Sequence, residues 1–208
     1  MSTRLVTRAD IEAAYDCVML KSVREFNLEG FVVPSMVGFA LGETPGTLLP
    51  DEVRMPESLL KDMFGEPEHI RQGMVRSMVG ELLHEGSTLR ENLPSFGMPL
   101  PSLVTVACEG WVAEEKGPGT LRDDVRKVGG VKNIPGRTEC IMFFVHTIAG
   151  TFFGHSPIKG KPKHAIPHGL MPGQFDGKGM IEGPMTTGPL EKFSDSDSWS
   201  VIRKRETP

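Results

Sequence analysis

The chain predicts an α+β fold, with an antiparallel sheet of four to five strands, helices packed on one face, and an extended C-terminal arm. Three observations carry this. Residues 7–29 and 66–86 repeat their apolar side chains at steps of three and four, as a helix on a core does. Residues 102–115 and 137–148 alternate between two faces, as strands do. The last strands are joined by turns short enough for hairpins, which favours antiparallel pairing. A domain over residues 1–156 is followed by a Gly/Pro-rich arm over 157–208.

In the first helix, Ile11, Ala14, Tyr15, Val18, Ser22 and Phe26 form one stripe. Thr7 with Asp10 resembles a capping box, and Gly30 is placed to end the helix. Next comes "FVVPSMVGFALG" (31–42), apolar and partly β-branched; Pro34 makes it an edge or bulged strand. Pro45-Gly46 marks a turn, and "PESLLKDMFG" a short helix starting at Pro56. The second long helix places Ile70, Met74, Val75, Met78, Leu82 and Leu83 on one face. Gly73 and Gly80 weaken it and fall on one side, where another backbone could approach.

The strand over 102–115 puts Val104, Val106, Cys108 and Val112 on one face, and Leu103, Thr105, Ala107, Glu109 and Trp111 on the other. "KGPGTLRDDVRKVGGVKNIPG" reads as a polar excursion. In the strand over 137–148, Cys140, Met142, Phe144 and His146 share a face, opposite Ile141, Phe143, Val145 and Thr147. Ala149-Gly150 is the turn and 151–156 the return strand. In the arm, single apolar residues such as Ile166, Leu170, Phe175 and Ile181 stand between turns. They suit a segment laid along another surface, of this domain or of a neighbour. A short last strand over 198–204 is expected.

Composition narrows the function classes. Net charge is −4, with 38% hydrophobic and 24% charged residues, so the whole chain lacks the basic footprint of a nucleic-acid binder. No apolar run reaches the roughly 20 residues that span a bilayer. The start, "MSTRLVTRAD", has no apolar signal core, and Cys17, Cys108 and Cys140 are few and scattered. Both suit the cytoplasm. Twelve methionines suggest a pliable core or a contact surface.

The candidate chemistry centres on "CIMFFVHTIAGTFFGH" (140–155), whose two apolar runs each end in a histidine. His146 and His155 with Cys108 allow a zinc site to be imagined. Their spacing is not that of ligands paired in tight turns, and Pro167 in "HAIPH" bars the helix that would align His164 with His168. No metal and no cofactor is expected. There is no G-x-S-x-G, no phosphate-binding Gly-rich loop and no HExxH. Cys108 and Cys140 lie in apolar strands, where a thiol is a small hydrophobe. Glu109 is expected to pair across strands with Arg137 and fix register.

The pieces "VACEGWVAEE" and "IPGRTECIMFFVHT" contain Glu109-x-Trp111 and Pro135-x-Arg137-x-Glu139. This stretch, 102–148, resembles small uncharacterised phage-encoded proteins with a Glu-x-Trp strand end followed by a Pro-x-Arg-x-Glu strand start. Gly110 stands where a small residue or alanine is expected. The resemblance implies a viral or mobile-element origin and an α+β core, and no activity.

The sequence thus points to a non-enzymatic accessory protein that binds a protein partner or self-associates through its arm, in host cytoplasm or virion. Trp111, Phe175, Trp199, Arg203 and Arg205 are the candidate contact residues, and no membrane or nucleic-acid partner is expected. One alternative is a metal-dependent hydrolase or nuclease using His146 and His155. Another is a nucleotide or other small-ligand module, with Trp111 and the 117–134 loop over one sheet face.

Overall fold

A computed structural model describes residues 4–49, 53–54, 62, 65–114, 121–170 and 179–189. Phe175, Trp199, Arg203, Arg205 and the strand expected over 198–204 lie outside the described residues, as does most of the helix expected from Pro56.

Helix α1 spans Arg8–Glu29. The Asp10 carboxylate accepts from the Thr7 backbone N–H (2.8 Å) and the Thr7 hydroxyl (2.7 Å), so the capping pattern read from the sequence starts the helix. The same fully buried carboxylate takes the Arg4 guanidinium at both oxygens and the Gly46 N–H, tying the 42–47 turn to the helix start. Burial alone would raise its pKa; the Arg4, Thr7 and Gly46 donors outweigh this and hold it below the usual value. At the far end Gly30 adopts φ 81°, and its N–H reaches Phe26 O.

The sheet is antiparallel throughout. Its strands are β1 (Ser35–Phe39), β2 (Val53–Arg54), β3 (Leu103–Glu114), β4 (Thr138–Thr147), β5 (Gly150–Lys159), β6 (His164–Ala165), β7 (Gly179–Gly183) and β8 (Thr186–Pro189). The order is β2-β1-β3-β4-β5-β6, with β7 on β3 and β8 on β7. The α+β class is as expected, with more strands than four to five. Pro34 precedes β1, and β1 is not an edge, because β2 pairs with Val37 and Gly38.

One flank of β3 is shared. β1 pairs with it from Leu103 to Ala107, and β7 takes over from Trp111 to Glu114. Gly110 lies in the seam. A Cβ there would collide with Met142 Cε and Glu182 O, which is why neither alanine nor a larger residue fits.

The expectation of helices on one face is corrected. Ile11, Tyr15, Val18 and Phe26 of α1 pack on Leu103, Ala107, Ile141, Phe143 and Val145. The second long helix, α2 (Glu68–Leu83), packs Val75, Leu82 and Leu83 on the opposite face, over Val104, Val106, Cys108 and Phe144. Both faces of β3 and β4 are apolar, so both need a cover. Burying each phenylalanine of these layers contributes about 2 kcal/mol.

Two short helices follow the pattern less closely. α3 (Thr88–Asn92) is capped by Ser87, whose Oγ accepts from Arg90 N. α4 (Leu121–Val128) occupies the stretch read as a polar excursion. Leu121 and Val125 pack with Trp111 against Ala113, Val131 and Ile134.

The segment expected as an arm from residue 157 supplies sheet strands where it is described. β5 runs on to Lys159, Ile158 pairs with Ala165, and Ile181 pairs with Val112 and is fully buried.

Candidate ligand-binding cleft

Register decides what the two histidines can do. His146 stands between Val104 and Thr151; His155 is opposite Met142, which is opposite Cys108. All are on the α2 face. The row Val106–Phe144–Phe153 lies between them. Four positions along a strand are roughly 13 Å. The imagined zinc set of Cys108, His146 and His155 is therefore not brought together. Among the described residues no three His, Cys, Asp or Glu side chains gather as a metal site would need. The rings instead form a file: His146 on Phe144 (6.3 Å between centroids), Phe144 beside Phe153 (5.1 Å), Phe153 on His155 (5.9 Å), and His155 on His168 (6.0 Å).

Burial shapes their acid–base character. Desolvation lowers His146 to about 4 and, with His168 nearby, His155 to about 4. Both imidazoles are neutral at pH 7. Burial pushes the Cys108 thiol up to about 12 and raises Cys140 further, so neither is a nucleophile.

Glu109 and Arg137 do not meet. Glu109 is opposite Ile141, and its carboxylate accepts from Val32 N (2.6 Å). Burial raises its pKa, partly offset by that bond. Arg137 lies over the Trp111 ring, 5.2 Å from its centroid, and donates to Ile134 O. Glu139, paired with Trp111 across the strands, takes Lys163 at 2.6 Å. On the far side of Trp111, Glu182 accepts from Val131 N. These polar groups brace the α4 side of the sheet and leave Trp111 half-buried in packing.

The candidate cleft is elsewhere. A cleft of about 610 Å³ lies between α2 and the hairpin end of β4 and β5. Val75, Val79 and Leu83 form its helix wall; Val106, Phe144 and His146 form its sheet wall; residues 147–151 and Met185-Thr186 complete it. His146 Nδ1 is bonded to Thr151 Oγ1 at 2.9 Å, which fixes the ring and leaves Nε2 without a bond to any described residue. Gln72, on the α2 wall, bonds Glu68, Gly183 O and Thr187 Oγ1, tying the helix to the β7–β8 hairpin.

The glycines of α2 have open space beside them. A Cβ at Gly73 or Gly80 would meet nothing within 4 Å. The close backbone approach expected there does not occur; Gly80 borders the cleft and leaves it wide. Sequence reasoning reached His146 but missed this site, since a cleft depends on how far a helix stands from a sheet.

No known protein family, curated protein or solved structure matches the chain. The class defined by fold and geometry is an α+β protein with a sheet covered on both faces and an apolar cleft under one helix. Among the described residues no helix is long and apolar enough to cross a membrane.

Proposed function

We propose that the protein is a non-enzymatic binding protein that holds a small apolar ligand in the cleft beneath α2. The cleft itself carries this reading. Its volume falls in the range of small-molecule sites, and its walls are mostly apolar with a few placed polar groups, as such sites are built. His146 acts as a positioned hydrogen-bond partner, because a neutral ring bonded to Thr151 adds specificity without charge. The site is on the face opposite Trp111, where the sequence-based small-ligand reading had placed it. Self-association remains compatible with this role: Phe96, 73% exposed, stands outside the cleft together with Leu89, Met98 and Leu100.

The test is a fluorescence titration with N-phenyl-1-naphthylamine, a neutral apolar dye. Saturable one-to-one binding is expected. Gly80→Phe should abolish it while keeping or raising the melting temperature, because the new ring enters open space and glycine is the poorer helix former. No saturable binding, or binding untouched by Gly80→Phe, would refute the proposal.

A further inference from the structure

We infer that the cleft's ligand ends in a single carboxylate, received by Arg76. This rests on reading the cleft as a binding site and specifies what it takes.

Among the described residues Arg76 is the one lysine, arginine, aspartate or glutamate that lines the cleft; the imidazoles of His84, held by Glu85 O, and His146 line it too. The helical neighbours of Arg76 at three and four residues are Gln72, Gly73, Val79 and Gly80, so no carboxylate can reach it along α2. Among the described residues Arg76 has no ion pair and no hydrogen bond. The arginines elsewhere that face carboxylates are engaged: Arg4 with Asp10, Arg8 with Glu12 and Arg126 with Asp123. A guanidinium without a partner at the edge of an apolar space favours an anion, and its planar fork suits a carboxylate held by two parallel bonds. The apolar walls set the rest of the molecule: a hydrocarbon or aromatic body, bounded by Val75, Leu83, Val106 and Phe144. An amine would meet Arg76 with like charge and find no acidic side chain among the described residues of the lining.

Three probes with one body separate the head group from the pocket: 4-phenylbutyrate, 4-phenylbutanol and 4-phenylbutylamine, each displacing N-phenyl-1-naphthylamine. The acid should bind about tenfold tighter than the alcohol, and the amine weaker than both. Arg76→Gln should bring the acid to the level of the alcohol and leave the alcohol unchanged. Acid and alcohol of equal affinity, or a preference that survives Arg76→Gln, would overturn the carboxylate while the cleft stands. If neither the dye nor any of the three binds, the cleft reading falls and this inference with it.

Discussion

Single atoms decide how α1 sits on the sheet. Gly154 of β5 is opposite Phe143, and the Tyr15 ring of α1 lies where a Gly154 Cβ would be. Tyr15 also meets Phe143 edge-on at 5.4 Å and donates its hydroxyl to His168 O at 2.7 Å. Gly154→Ala should therefore cost about 2 kcal/mol, since neither the ring nor its bond can move freely. Two positions away, Ser156 is fully buried and its Oγ has no hydrogen-bond partner among the described residues. Ser156→Ala should raise stability by about 1 kcal/mol, because a desolvated hydroxyl is replaced by a methyl group. Urea denaturation of the two variants checks both signs. Equal effects would show that the α1 side is not packed as described. None of this was legible in the sequence. Gly154 falls inside the return strand expected over 151–156, and nothing local announces a tyrosine more than a hundred residues away.

At the level of elements, the sequence was read well where one pattern dominates. The stripe on α1, the Thr7–Asp10 cap and the alternation in β3 and β4 are local, and all are present. The reading failed where two patterns compete. In β4 both alternating sets are apolar, Cys140-Met142-Phe144 and Ile141-Phe143-Val145, which should have called for a helix on each face. α4 was missed because its surface is charged and flanked by glycines. Its i,i+3 pairs, Asp123–Arg126 and Asp124–Lys127, are the pattern that could have revealed it. β7 was read as part of an arm since Gly and Pro surround it, although Ile181 carries it into the core. Gly73 and Gly80 have open space around them, so Gly73→Ala and Gly80→Ala should each stabilise by roughly 0.5–1 kcal/mol. A loss of stability by thermal melting would mean that α2 is held closer to its neighbours than described.

For the whole molecule, the buried histidines link stability to pH. Their folded values, about 4, lie below the unfolded value near 6.5. Between these limits the unfolded chain binds more protons, so stability is full above about pH 6.5, falls as pH drops towards 4 and levels off below it. The loss should be on the order of 2 kcal/mol for each ring, since both retain some exposure. His146→Gln should flatten half of this slope in denaturation curves taken from pH 7.5 to 4. An unchanged slope would place His146 in water. The histidines were conspicuous in the sequence, but their role depends on register, and register places Phe144 and Phe153 between them.

The space between α2 and the sheet is the proposed binding site on which the protein's function rests. The most direct measurement is methyl NMR of the protein titrated with N-phenyl-1-naphthylamine. The account predicts saturable shifts at Val75, Val79, Leu83, Val106 and Ile148, which border the cleft, and none at Val18, Val37 and Val145 beneath α1. Shifts spread over both faces, or confined to the α1 side, would contradict it.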